Sequence, residues 1–536
     1  MRFRLLTLIA APTFVAMVGI RPFAAAQQPA SETSSPHHRY RFVDLATFGG
    51  PDSYVNAAFA LGSTHQISER GVVVGSAATN TPAPPNKAIC GGPDGLVPNI
   101  FHAFEWRDGQ VIDLGALSGI ECSEAVAINK KGEIVGRSGN GFIDPLVGVE
   151  ELRAVVWKDG QIIDLGTLGG NHSIADDIND RGQVVGTTVN AIPDPFSLLY
   201  ALAGFTNGTQ TRAFRWEKGQ MQDLGTLGGP DAEGFNINQR GQIFGISYVN
   251  STPDPVTGLP PLHPFVWTKE TGMRDLGSLG GALGFVNCEC GGFNNQGQAV
   301  GMSNLAGDTV ADPFFWDGEN LIDLFTTSVG GNPLSPNALN DAGEIAGGGV
   351  FPNRPFDAFL WKNGVAADLG TVDGDGCSWA RAMNNRGQVV GQSFVCDGSV
   401  VHSFLWEGGS IVDLNALIPI SANMQLIDPV SINDRGEIAG LGLPPGCTLA
   451  IGDTVCGHAF LLIPCDPHHS DEEDCGGDPG NAAIAATTTR PESARLSREH
   501  TGAVGLTSRE IAARMQRRYG WNRVFTTTTA KPLRPR

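Results

Sequence analysis

One phrase recurs along this chain and limits its fold more than any other feature. The stretch AFRWEKGQMQDLGTLGGPDAEGFNINQRGQIFG, residues 213–245, is one copy. Trp106, Trp157, Trp216, Trp267, Trp316, Trp361 and Trp406 each close an apolar strand such as AFEW, AVVW, PFVW or AFLW. The aspartate of a D-L pair follows seven residues later, or eight in one copy. The turns between them, such as RDG, KDG and KNG, hold Asp-Gly and Asn-Gly pairs that accept the positive φ angles of a tight hairpin. A second hairpin follows in AINKKGEIVG, DINDRGQVVG, NINQRGQIFG, GFNNQGQAVG, ALNDAGEIAG, AMNNRGQVVG and SINDRGEIAG. Asn in the first turn position bonds its own backbone, and Gly in the fourth tolerates the left-handed angle. Each copy is therefore four short strands.

An eighth copy is divided between the chain ends. RFVDLATFGG at 41–50 has the D-L strand without a tryptophan partner, and HAFLLIP at 458–464 has the apolar strand without a following D-L. Joining the first strand to the last three of one unit closes a circle and removes exposed sheet edges. The expected fold is all-β: an eight-bladed β-propeller of four-stranded repeats, closed by pairing of the N- and C-terminal repeat strands. Within a blade the order runs from the INxxG strand through the VVG and tryptophan strands to the D-L strand. A β-solenoid is the runner-up. Spacings of 45 to 59 residues between equivalent tryptophans are long for one solenoid coil and near blade length.

His102-Ala103-Phe104 and His458-Ala459-Phe460, with degenerate forms at Ala213-Phe214 and Ala358-Phe359, resemble the signature of the bacterial extracellular HAF-repeat family. The resemblance covers roughly residues 40–464 and departs from the motif at Pro264, Pro313 and Ser403. It implies an exported, propeller-like repeat protein, and brings no catalytic residue set with it.

The flanking segments read differently. Residues 1–26 have the form of a signal peptide: Arg2 and Arg4, a short apolar run, then Ala24-Ala25-Ala26. Residues 27–40 are a linker, 41–464 the propeller, and 465–536 a polar, arginine-rich tail. In that tail SREIAARMQRRY, residues 508–519, is expected to form at most a short helix, with Ser508 at its start and Ile511, Met515 and Tyr519 on one stripe. Export to the periplasm or outside the cell makes the ten cysteines legible as disulfides. Cys90 and Cys122 fall in neighbouring loops, as do Cys377 and Cys396. Cys447 and Cys456 flank one loop, Cys465 and Cys475 one tail segment, and these four pairs are the expected bridges. Cys288 and Cys290 stay unassigned, because a bridge across one residue is strained. A net charge of −19 excludes general nucleic-acid binding, which needs a basic surface. No stretch is long and apolar enough for a membrane span, and the chain is expected to be monomeric.

A phrase repeated around a ring cannot be one catalytic centre. Asp113, Asp164, Asp223, Asp275, Asp323, Asp368 and Asp413 are therefore expected to bond nearby backbone, and the tryptophans to pack between blades. Function should sit where copies differ, on the inserts 79–101, 140–152, 190–211 and 249–262, which leave the face opposite the tight turns. Asp373-Gly-Asp375-Gly lacks the rest of a calcium loop, and His37-His38 and His468-His469 read as solvated linker. Asn171, Asn207 and Asn250 match the glycosylation pattern without a context that favours it. No catalytic, cofactor or metal residue is assigned. The expected function is a secreted, non-catalytic binding scaffold that takes a protein, peptide or glycan on its variable face. The alternative is an extracellular propeller enzyme acting on glycans, a hydrolase or lyase.

Overall fold

The computed structural model describes residues 38–55, 65–83, 99–118, 121–148, 150–202, 208–285, 292–308, 310–352, 354–372, 374–396, 398, 400–447, 456–465 and 475. All belong to one compact unit, His37–Arg536. The expected signal peptide, the arginine-rich tail and Cys90, Cys288 and Cys290 lie outside the described residues.

Each repeat forms one antiparallel path of four strands, ordered as they occur in the chain. Repeat one is Gly49–Tyr54, Val73–Pro82, Asn99–Arg107 and Gln110–Asp113; repeat two is Ser123–Ile128, Ile134–Ile143, Glu150–Lys158 and Gln161–Asp164. Repeats three to seven follow the same plan, and the paths of repeats four and five join through a parallel pair, Leu262 with Leu283. The turn chemistry is as the sequence requires. Asp108 and Gly109 have φ of 50° and 82°, and Asn363 and Gly364 have 50° and 86°, both central residues on the positive side as a two-residue hairpin needs.

The divided copy comes together as one sheet. Gln425–Ile432, Ile438–Leu443 and His458–Pro464 are followed in space by Tyr40–Asp44, with Val43 opposite Leu461 and Asp44 opposite Phe460. The first strand starts at Tyr40, one residue earlier than the sequence boundary.

Apolar side chains fill the space between neighbouring sheets. Val185 and Ala213 of repeat three pack with Ile237, Ile243, Phe265 and Trp267 of repeat four, and Val74 and Ala103 of repeat one with Ile128, Ile134 and Trp157 of repeat two. Trp106, Trp157, Trp267, Trp316 and Trp361 are buried, whereas Trp216 and Trp406 are partly covered. The repeated tryptophan is a core residue at five of its seven positions.

Candidate functional site

The tight turns explain why their phrase is repeated. In repeat five, Asn294 Oδ1 accepts from the amides of Gln296 and Gln298, both at 3.0 Å, and holds its own turn. Its Nδ2 donates to Gln298 Oε1 and, across to repeat six, to the carbonyl of Asn340, both at 2.8 Å. The same step runs from Asn129 to Asn179, Asn179 to Asn238, Asn238 to Asn294, Asn340 to Asn384 and Asn384 to Asn433. It then passes from Asn433 to Ser68, 365 residues away in sequence, at 2.9 Å. A second series runs beside it. The amide after each turn asparagine donates to the equivalent side chain of the next repeat: Lys130 to Asp180, Asp180 to Gln239, Gln239 to Asn295, Asn295 to Asp341, Asp341 to Asn385, Asn385 to Asp434 and Asp434 to Glu69.

Ser68 identifies a turn that the sequence pattern missed, ISERGVVVG at 67–75, where serine replaces asparagine. Ser68 Oγ accepts from the amides of Arg70 at 3.3 Å and Val72 at 3.1 Å, doing half of the asparagine's work.

These turns surround a cavity of about 150 Å³ lined from repeats one, three to seven and the divided one. His65 and Asp177 both line it and are paired, with His65 Nδ1 2.8 Å from Asp177 Oδ1. Asp177 is buried and also accepts from the amide of Ile237 at 3.0 Å, while half of the His65 side chain is exposed. A bulge between Ala175 and Asp177 breaks the strand register just before this residue. The Asp177 carboxylate raises the imidazole pKa above its ordinary value, against burial, with help from Asp180 and Glu69. The cavity lies on the tight-turn face: Lys158, in a tryptophan-to-aspartate turn, reaches Glu133 of an asparagine turn at 2.5 Å. The inserts at which function is expected from the sequence leave the opposite face.

On that opposite face the insert 249–262 is a loop, as expected, but two of the other inserts are not. In repeats two and three the inserts lengthen strands, so that Ile134–Ile143 has 10 residues and Val184–Asp194 has 11, against 6 for Ile243–Tyr248. The inserts also share a phrase: NGFIDP at 140–145, NAIPDP at 190–195 and NSTPDP at 250–255. Asn140, Asn190 and Asn250 each accept from the amide two residues on, at 2.9, 2.9 and 2.8 Å. Asp144, Asp194 and Asp254 do the same for Leu146, Phe196 and Val256. Comparing the inserts with one another, rather than with the main repeat, shows this signal.

The arms are tied together. Asp144 of repeat two accepts from the Tyr200 hydroxyl at 2.6 Å and lies 2.9 Å from His172 Nε2. Burial works to raise the Asp144 pKa, yet the Tyr200 hydroxyl and the Leu146 amide bring it below the ordinary carboxylate value. The Tyr248 hydroxyl of repeat four donates to the Phe196 carbonyl. Asp231 accepts from the amides of Leu198 at 2.7 Å and Thr211 at 2.9 Å, and the Asp194 carboxyl acts on it electrostatically. Burial first, and the Asp194 carboxyl second, push Asp231 up to about 8. Above this root the arms expose Phe142 (69%), Leu146 (50%), Ile192 (53%) and Val256 (63%).

The Asp231 proton gives a pH prediction. The folded state binds a proton here that the unfolded chain has released, so stability falls as pH rises from about 4 towards 8. In Asp194→Asn, the carboxyl charge is gone and the side-chain oxygen still accepts from Phe196. Asp231 then ionises without the carboxyl conflict. Thermal unfolding should show the variant on the order of 2 kcal/mol more stable than the parent near pH 8.5, with little gain near pH 4; parallel pH profiles would contradict the action of Asp194 on Asp231.

The D-L aspartates act on backbone: Asp113, Asp164, Asp223, Asp275, Asp323, Asp368 and Asp413 each accept from the amide two residues on. The histidine of the H-A-F triplet, or of its H-P-F form at 263–265, pairs with the D-L aspartate. His102 lies 2.9 Å from Asp113, His263 2.9 Å from Asp275, and His458 3.1 Å from Asp44 of the first strand. Asp375 is bonded to Ser393 and His402, while Asp373 lies outside the described residues. Asn171 donates to Asp144. Disulfides join Cys377 to Cys396, Cys447 to Cys456 and Cys465 to Cys475. Cys122 is also disulfide-bonded. Among the described residues no helix is long and apolar enough to cross a membrane, and no cluster of three or more His, Cys, Asp or Glu forms a metal site.

No family model matches the chain, and no curated protein matches it. Among solved structures it is similar to a puromycin-hydrolyzing peptidase of Mycobacterium tuberculosis, at 15% identity and TM-score 0.31 over 55% of this chain and 45% of that one. It is also similar to Porphyromonas gingivalis dipeptidyl peptidase 4, at 10% identity and TM-score 0.38 over 64% and 54%. A third is a PL25 polysaccharide lyase, an ulvan lyase, at 11% identity and TM-score 0.34 over 70% and 99%. The chain spans about half the length of the two peptidases it matches.

Proposed function

We propose that this chain is an exported, eight-bladed β-propeller of the HAF-repeat type that serves as a binding scaffold. The arms of repeats two to four take a protein or peptide partner. The ring reading is supported by the two hydrogen-bond series, which run through successive repeats and return from Asn433 and Asp434 to Ser68 and Glu69. Export is supported by the disulfides, which persist in oxidising compartments.

One observation carries the binding role: three arms built on the same N-x-x-x-D-P phrase hold exposed apolar side chains above a rigid, hydrogen-bonded root. Apolar residues presented together on a rigid support mark interaction sites in water-soluble folds. Burying each against a partner contributes roughly 1.5–3 kcal/mol.

The test replaces Phe142, Ile192 and Val256 together with Ser and screens parent and variant against protein, peptide and glycan arrays. The parent should capture a protein or peptide ligand that the variant holds at least about 100-fold more weakly, as expected for loss of roughly 3 kcal/mol. Thermal midpoints should agree within a few degrees, because the three side chains are exposed. Equal capture by both proteins would remove the site from the arms, and glycan cleavage by the parent would favour an enzyme instead. Trimming 190–211 would be a poorer test, since Phe196 and Leu198 pack on Tyr248 and Leu262.

A further inference from the structure

The two hydrogen-bond series are interrupted at the same place. Between repeats one and two the donor for the first series would have to be Ser68, which has no side-chain amide. The acceptor for the second would have to be Lys130, whose ammonium cannot accept. Ser68 Oγ instead accepts within its own turn, so neither link forms at this junction while the other seven keep them.

Something else bridges that junction. His65 of repeat one reaches past repeat two to Asp177 of repeat three at 2.8 Å, and the carbonyl of the same His65 accepts from the Ile128 amide of repeat two at 2.9 Å. A single residue thus ties repeat one to both of the repeats that follow it. We propose that the ring opens and closes at the junction between repeats one and two, and that protonated His65, held by Asp177, is the latch that keeps it shut. This rests on the closed-ring reading above.

The charges around the latch set its direction. Asp177 and Asp180 of repeat three and Glu69 of its own turn favour the imidazolium, and burial opposes it. Lys130 pairs with Asp180 at 3.4 Å, and Asp434 lies beside Glu69. The imidazole therefore titrates above its ordinary value. Its contribution is complete below the unfolded histidine pKa, about 6.5, and is lost as pH rises through the folded one. The junction is tight in acid and loosens towards alkaline pH.

Hydrogen exchange on the full chain tests this at the Ile128 amide, with the Asn295 amide at an intact junction as control. After correction for intrinsic rates, Ile128 protection should fall about tenfold between about pH 5.5 and pH 8.5, the order expected for loss of one charge-assisted hydrogen bond. Asn295 protection should not follow it. In His65→Gln the Ile128 amide should show the low, pH-independent protection at both pH values. Ser68→Asn supplies the missing amide, so it should raise Ile128 protection at pH 8.5 and shrink its pH dependence. Parent protection that does not vary with pH overturns the latch, as does a His65→Gln protein that keeps the parent's pH dependence. If His65→Gln does not fold, Ser68→Asn decides alone, and no rise at pH 8.5 overturns the proposal. Failure of the ring itself would appear elsewhere, as an unprotected Asp434 amide at every pH.

Discussion

Removing residues 27–46 should leave a protein that aggregates instead of unfolding cooperatively. The deletion takes away the strand Tyr40–Asp44 and with it five paired positions along His458–Pro464. It also removes the hydrogen bond from the Leu45 amide to the Ala459 carbonyl. Tyr40 and Leu45 are 2% and 0% exposed, and sit in two different apolar clusters on either side of the divided sheet. Loss of their burial costs roughly 3–6 kcal/mol, a large share of the 5–15 kcal/mol that typically holds a domain together. The uncovered strand then presents free amides and carbonyls to any neighbouring chain. Size-exclusion chromatography and thermal unfolding measure both consequences, and a peptide spanning 38–48 added in excess should restore part of the lost transition. A monomeric deletion protein with the parent's melting temperature would show that the first strand closes nothing.

Trp267→Ala should be far more damaging than the same change at Trp216. Trp267 is 4% exposed and packs in a cluster with Val185, Ala213, Ile237, Ile243 and Phe265, so it touches two neighbouring repeats. Truncation removes the indole and leaves a cavity that surrounding strands cannot collapse into, a cost of roughly 3–5 kcal/mol. Trp216→Ala should cost less, because Trp216 is only partly buried. Chemical denaturation of the two variants gives both values. Equal losses would mean that the covering of the indole does not set its contribution.

The contrast between these tryptophans shows how far the sequence could be read. Strand order, hairpin turns and the divided copy were legible because they depend on local rules: alternation, Asp-Gly turns and a phrase cut at a strand boundary. The asparagine series was not, since each Asn Nδ2 meets a backbone carbonyl, and a carbonyl leaves no mark in the sequence. Ser68 escaped for a related reason. Its turn is held by an oxygen like the others, but the motif was defined by the amide it lacks. The pairing of His102 with Asp113 joins residues 11 apart on adjacent strands, and becomes visible only when their register is known. Of the inserts read as loops, 249–262 is one, while those of repeats two and three extend strands. Pro193 and Gly141 interrupt strand alternation, while the strands continue through them.

The links between turns have a consequence for how such a molecule changes over generations. Each asparagine grips only the peptide group of its neighbour, a feature that every residue possesses. That joint makes no demand on the neighbour's side chains, and the series beside it asks only for one acceptor side chain at the equivalent position. Copies can therefore be duplicated, lost or exchanged without a matching change in the adjoining one, so long as each keeps its own asparagine and an accepting side chain after it. A lineage built this way should vary freely in copy number and in its arms, and be slow to change in one amide.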